Sequence, residues 1–180
     1  FECRGIRKYI FYPIYKILYG IWENHIVRNS PLTLVAGSAL YDKYNGNEHP
    51  IYQIVQLIDL PSTYLFDRGD TCNSEPIQCL FVGELAPRKG VEYLIEATHQ
   101  LTRENYKIKL NIVGSGELEN ELKDLTKELG IEAYVKFYGY VKHGPDLFRV
   151  YRDSDIFILP TFSEGFPRVL YEAMSQSMPI

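Results

Sequence analysis

The sequence is short of the residues that build metal clusters and disulfide frameworks. Its three cysteines, Cys3, Cys72 and Cys79, show no C-x-x-C spacing. Its four histidines, His25, His49, His99 and His143, are scattered, and no two stand at i, i+4 as a zinc-binding helix requires. A reducing compartment is the default for such a chain, and no metal is expected. Positive charge is not in excess either. The formal net charge is -4 at pH 7, which argues against a general nucleic-acid binder. No secretory signal pattern opens the chain, and no low-complexity tract interrupts it. The aromatic stretch near the start is broken by Lys16, Glu23 and Asn24, too early for a membrane span. A hydrophobic content of 46% excludes a disordered chain, and 180 residues suffice for one good domain or slightly more.

What is present is a regular alternation from Gly83 onward. "CLFVG" (79–83) is a short apolar run ending in Gly, as a buried parallel strand does. Val91, Leu94, Ile95, Thr98 and Leu101 then fall on one helical face. "KIKLNIVG" (107–114) reads as a strand. Leu118, Leu122, Leu125 and Leu129 mark a second amphipathic helix, with Gly130 placed to end it. "YVKFYG" (134–139) is a third strand. A short helix over 145–152 opens with Pro145 at its first position. "DIFILP" (155–160) is a fourth strand, stopped by Pro160, and Pro167 opens a helix that runs to about Ser177. Four strand–helix units predict an α/β fold, a Rossmann-like parallel sheet with helices on both faces. Ligands of such sheets bind beyond the carboxyl ends of the strands. Chemistry is therefore expected in the turns 83–90, 114–117, 139–144 and 161–167.

Residues 1–30 read differently. They are aromatic and carry Arg4, Arg7, Lys8, Lys16 and Arg28 against Glu2 and Glu23, a balance of +3. Pro13 is expected to interrupt any single long helix. "PLTLVAG" (31–37) reads as a strand of another domain, and "DRGDTCNSEP" (67–76) as a linker. The expected division is 1–75 for a partial first domain with its linker and 76–180 for the sheet domain. The chain opens on Phe and its final Met178-Pro179-Ile180 resembles the start of another strand, so it is read as a piece of a longer protein.

The stretch "SEGFPRVLYEAM" (163–174) places Glu164 in a Gly/Pro turn and Glu172 inside the helix that follows. The start of a helix carries unpaired N–H donors and partial positive charge, and so suits a phosphate. A carboxylate beside a phosphate is repelled, whereas a carboxylate facing sugar hydroxyls accepts from two of them. The layout fits a ligand with sugar at both ends and phosphate between. Lys89-Gly90, in a turn after a strand and ahead of a helix, is a phosphate device of the same kind. Each of these residues taken singly is more often a solvated surface residue. "GELAPRKG" lacks the ending of a Walker A loop, and "GSGELE" (114–119) has Glu119 where a dinucleotide fingerprint has its third glycine.

These pieces in this order resemble the retaining glycosyltransferases of family 4 (group 1), which have the GT-B fold. "SEGFPRVLYEAM" is similar to the family's E-x7-E signature, "FVGELAPRKGVEYLIEA" to its VGRL-x3-KG loop, "NIVGSGELENELKDLTKELGI" to its VG-x-G turn, and "VKFYGYV" to its F-x-G-x-V segment. The resemblance covers about half the chain. It implies the C-terminal, donor-binding half of a GT-B fold, preceded by an incomplete part of the first domain. It also implies transfer of a sugar from a nucleotide-sugar donor to a sugar or lipid-linked acceptor, with retention and without a metal. Glu164 is implied beside the donor sugar as the catalytic residue. Glu172 is implied on the ribose, Lys89 on the diphosphate, and backbone groups around Tyr140 and Val141 on the base. Backbone N–H groups from Phe166 through Leu170 are implied on sugar or phosphate. The implied donor site thus comprises Gly83, Lys89, Gly114, Tyr140, Val141, Gly165, Phe166, Arg168, Val169, Leu170 and Glu172.

Two positions depart from the family pattern. Glu84 stands where the family has Arg, and a carboxylate there repels a diphosphate unless it points away. Ser177 stands where the family has Gly. Glu84 keeps open a non-catalytic sugar-nucleotide-binding module, and a GT-B phosphorylase or epimerase would use similar contacts. The expected setting is cytoplasmic. The basic, aromatic start also fits peripheral contact with a membrane face. The piece by itself is expected to transfer no sugar.

Overall fold

The computed structural model describes residues 7–36, 38–46, 49–54 and 60–180. The chain divides into two compact units, Phe1–Leu57 and Ile58–Ile180. In the first, helix α1 (Arg7–Asn29) is followed by strand β1 (Thr33–Ala36), helix α2 (Ser38–Tyr44) and strand β2 (Ile51–Ile54). The strands pair in parallel, Thr33 opposite Ile51, with α2 as the crossover. Pro13 lies inside α1 and does not interrupt it, contrary to the sequence expectation. A proline removes one i→i−4 bond, and the sixteen residues from Ile14 to Asn29 can still form several turns beyond it. Val27, Val35 and Tyr44 are buried, and Lys43 pairs with Glu23 at 3.0 Å. Ile14, Ile17, Leu18, Ile21 and Trp22 on α1 are exposed.

The second unit holds the alternation. Its strands are β3 (Ile77–Val82), β4 (Ile108–Val113), β5 (Val135–Gly139) and β6 (Ile156–Phe157). Its helices are α3 (Val91–Arg103), α4 (Glu119–Glu128), α5 (Pro145–Arg152) and α6 (Arg168–Ser175). All pairings are parallel, in the order β5-β4-β3-β6. Alternate residues of the strands feed two cores. Phe81, Leu110 and Ile112 pack with Val91, Leu94 and Ile95 of α3 and Leu122 of α4. Leu80, Val82, Val113 and Phe157 pack on the other face with Leu147, Phe148 and Tyr151 of α5 and Ala173 of α6. Full burial of one such side chain contributes roughly 1.5–3 kcal/mol, so these two layers dominate the unit's stability. The helix limits follow the local chemistry. Gly130 is left-handed just past α4, and Pro145 takes the first position of α5 after Gly144.

β6 is shorter than the expected 155–160. Ile158 still donates to Leu80 O at 2.8 Å, and the segment then leaves β3 towards Pro160, which has no N–H to give. The stretch 67–76 is also not a free linker. Arg68 donates to Gln176 O (2.7 Å), Ser154 O (2.7 Å) and Tyr151 O (3.1 Å). Asp155 accepts from Cys72 N (3.2 Å) and Gln78 N (2.7 Å). The division of the compact units accordingly falls ahead of the 75/76 boundary expected from the sequence.

Candidate functional site

The four turns beyond the carboxyl ends of the strands are held together by backbone contacts that need glycine. Gly114 has φ of 141°, and a Cβ there would lie 1.8 Å from Gly83 O. The turns after β3 and β4 therefore touch main chain to main chain. Gly83 N donates to Val113 O (3.0 Å), Leu85 N to Ser115 O (3.0 Å), and Gly114 N to Gly139 O (2.8 Å). Gly90 is also left-handed, and a Cβ on it would meet Pro160 O at 2.7 Å. This brings the Pro87–Lys89 turn against the segment after β6. There Thr161 Oγ1 (3.1 Å) and Phe162 N (3.0 Å) both donate to Arg88 O.

That junction delivers Lys89 to Glu164. Lys89 is buried, and its Nζ donates to Glu164 Oε1. Partial burial acts to raise the Glu164 carboxyl. The hydrogen bond and charge of Lys89 outweigh it and, helped by Thr161 and Arg88, hold it below its ordinary 4.5. The carboxylate is therefore charged at neutral pH, and the pair persists on acidification until the pH falls through that lowered value. Arg88 stands 4.0 Å from the other oxygen of Glu164 and pairs with Glu84 at 2.7 Å. Glu84, the departure from the family pattern, is thus turned onto Arg88. Both residues are about half exposed, so the pair orients more than it stabilises.

Glu172 sits in a different environment. It is 5% exposed, on the inner face of α6. Its Oε2 accepts from Tyr151 Oη at 2.9 Å, and its Oε1 lies 3.6 Å from His143 Nε2. Burial first, and then the Glu172 charge, push the Tyr151 hydroxyl far above its ordinary value, so it remains a donor at all working pH. His143 is set by its neighbours, edge-on to Tyr64 (6.4 Å) and Phe148 (5.5 Å). Neither His143 nor Tyr151 was singled out as a site residue by sequence reasoning. Tyr151 did carry a signal, because it shares a buried face with Leu147 and Phe148, and a buried tyrosine hydroxyl requires a partner. His143 carried none beyond its place in the turn after β5.

The other expected residues fall around these carboxylates in the same unit. Gly165 and Phe166 lie in the turn before α6, and Phe166 stacks on Tyr171 at 4.9 Å. Arg168 opens α6 and is exposed, while Val169 and Leu170 pack on the core face. The run of donors expected from Phe166 through Leu170 is reduced. Pro167 has no N–H, and the N–H of Leu170 is taken by Pro167 O at 3.0 Å. The N–H groups of Phe166, Arg168 and Val169 have no partner among the described residues. Tyr140 is exposed just past β5, and Val141 packs on the α5/α6 core. The assembly offers one buried cation, three N–H donors at a helix start and a buried carboxylate with one oxygen unbonded. It can bind an anion flanked by hydroxyl-bearing groups.

A family model described as glycosyl transferases group 1 matches residues 67–180. An archaeal glycosyltransferase, MJ1607 of Methanocaldococcus jannaschii, is 40% identical over 115 residues, which is 64% of this chain and 29% of that protein. The amylovoran biosynthesis glycosyltransferase AmsK of Erwinia amylovora is 32% identical over 112 residues, 59% of this chain and 27% of its own. Among solved structures, the pneumococcal O-GlcNAc transferase GtfA in complex with UDP and GlcNAc superposes with a TM-score of 0.66 at 22% identity, over 86% of this chain and 31% of that one. TarM gives 0.70 at 18% identity, over 87% and 31%. These likenesses show the fold, which is that of the GT-B glycosyltransferases. The chain spans about a third or less of the length of these relatives.

Proposed function

This chain belongs to the group 1 glycosyl transferases, and from that premise we propose that it is the donor-binding part of an enzyme that moves a sugar from a nucleoside-diphosphate sugar to an acceptor hydroxyl with retention. The observation that carries the reading is the pairing of two unlike carboxylates across one helix start. Glu164 is ion-paired at the mouth of the site, and Glu172 is buried with an oxygen to spare. The diphosphate takes Lys89 and the free N–H groups of Phe166, Arg168 and Val169. Glu172 accepts from the ribose hydroxyls, Glu164 from the donor sugar, and backbone at Tyr140 and Val141 meets the base. Gly165 leaves open space for close approach of the ligand, and Gly83 and Gly114 shape the floor by packing main chain to main chain. In the reaction the bond from C1 to the leaving phosphate oxygen breaks. The acceptor oxygen bonds to C1 on the same face, and its proton passes to the departing phosphate. Lys89 and the helix start stabilise the charge that develops there, so no metal is assigned a part.

Relatives named for amylovoran and colanic acid biosynthesis support a role in polysaccharide or glycoconjugate assembly. The non-catalytic alternative rested on Glu84, and its pairing with Arg88 weighs against that alternative by turning the carboxylate onto a guanidinium. The ribose assignment is tested by isothermal titration of the complete protein with UDP and GDP. Glu172→Ala is expected to weaken binding by roughly 10- to 150-fold, the worth of a charge-assisted hydrogen bond. Equal affinity for both proteins overturns it.

The acceptor side is proposed to lie in the rest of the protein, which works in the cytoplasm, against a membrane face where the acceptor is lipid-linked. No described helix is long and apolar enough to cross a membrane. The exposed Ile, Tyr and Trp side chains of α1 with Lys16 and Arg28 fit an anionic lipid surface. Flotation of the complete protein with anionic vesicles but not neutral ones is expected. Absence from both vesicle fractions rules the contact out.

A further inference from the structure

Glu172 has one oxygen committed and one unbonded. Tyr151 Oη holds Oε2 at 2.9 Å, while Oε1 accepts no hydrogen bond among the described residues. His143 Nε2 stands 3.6 Å from that Oε1, too far for a hydrogen bond and near enough for a full ion pair once the imidazole is charged. We propose that His143 and the bound nucleotide share Glu172 Oε1, so that a neutral His143 leaves the oxygen to the ligand's hydroxyls and a protonated His143 withdraws it. This deepens the donor-site reading and rests on it.

Three observations support the sharing. The His143 ring packs edge-on against both Tyr64 and Phe148, so its place beside Glu172 is set by packing. Tyr64 in turn stacks on Phe148 at 4.3 Å, which fixes the two rings that His143 packs against. The histidine itself is 41% exposed and open to solvent, while the carboxylate it faces is 6% exposed. Imidazole is the side chain whose charge changes between about pH 5 and 8. The groups facing it are few. Glu172 comes from α6, Tyr64 from the 62–64 turn and Phe148 from α5, and Lys142 and Asp146 flank it in sequence. The other neighbour of the carboxylate, Tyr151, remains protonated and cannot substitute as the switch. His143 is a positioning residue in this scheme, acting through Glu172.

The sign follows from the competition. Protonation favours the His143–Glu172 pair in the empty site, so binding must break that pair and expel a proton. Affinity falls as the pH falls. Titration of the complete protein with UDP at pH 8 and at pH 5.5 reads this directly, alongside His143→Phe, which keeps a ring against Tyr64 and Phe148 but cannot be charged. The phosphate of UDP titrates identically in both experiments. The ratio of wild-type to His143→Phe affinity isolates the histidine. That ratio is expected to drop by about three- to fivefold from pH 8 to pH 5.5, the scale of one half-exposed ion pair. Glu172→Gln should erase the drop. Titrations in two buffers of different ionisation heat should show more proton release in wild type than in His143→Phe, whose release comes from the phosphate alone. If UDP binds and the ratio is flat with pH, the sharing is overturned and the donor site stands. If neither UDP nor GDP binds to folded wild-type protein at either pH, the donor site falls and the sharing with it.

Discussion

Glu164→Ala in the complete protein is expected to lower kcat for sugar transfer by about 10²–10³-fold, the cost of removing one preorganised charged group from the reacting centre. Binding of the bare nucleoside diphosphate should be unchanged or tighter. The reason is local. Glu164 holds Lys89, the one buried ammonium among the described residues. Diphosphate must take Lys89 away from that carboxylate, and deleting the carboxylate removes the competitor. The sugar then loses its partner while the phosphate gains one. Glu164→Gln, which keeps the shape and loses the charge, should resemble Glu164→Ala in kcat. Steady-state transfer and isothermal titration on the same samples check the split. Full transfer by Glu164→Ala, or loss of UDP binding in step with transfer, contradicts the assignment.

The second large effect concerns stability. Gly114→Ala should cost about 3 kcal/mol or more, because it adds overpacking to an unfavourable backbone conformation. A methyl group there would meet Gly83 O at 1.8 Å, and that oxygen is main chain and cannot rotate aside. The midpoint of thermal unfolding should fall by roughly 6–12 °C for a protein of this size. Gly139→Ala is the control. Its φ of 68° is equally left-handed, but nothing lies within 4 Å of the added methyl. It should cost about 1 kcal/mol, the strain alone. Equal losses at the two positions would show that the contact with Gly83 does not matter. Unfolding in urea, followed by circular dichroism, distinguishes the cases.

The alternation of the sheet unit was legible because each part has a local cause. β3 and β4 were found from apolar runs that end in glycine, and α5 from Pro145 at its first position. Four Leu residues located α4 to within a residue or two. The misreadings share a different character. Pro13 was read as a break, and the helix absorbs it. "DRGDTCNSEP" was read as a linker from its composition, yet Arg68 and Cys72 reach residues more than eighty positions away. Local composition cannot register such partners. The same holds at the site. Glu164, Glu172 and Lys89 were each legible by their place in turns and motifs. The Lys89–Glu164 pair, the Glu84–Arg88 pair and the Tyr151–Glu172 bond are properties of the folded arrangement. The N–H count at α6 was overstated because Leu170 closes a turn onto Pro167, a detail of backbone geometry.

The guanidinium of Arg68 has a practical consequence for anyone cutting this protein into parts. Its three carbonyl partners are at the ends of α5 and α6, the helices that carry Tyr151 and Glu172. Gln176, fully buried beside them, donates its amide to Tyr64 O. A recombinant piece begun at residue 76, where composition alone places the border, would leave those carbonyls and that amide without their donors and acceptor. It would also remove Tyr64 from beside His143. The trimming site that preserves these contacts lies upstream of Leu60, so the residues that look like spacer belong to the second unit.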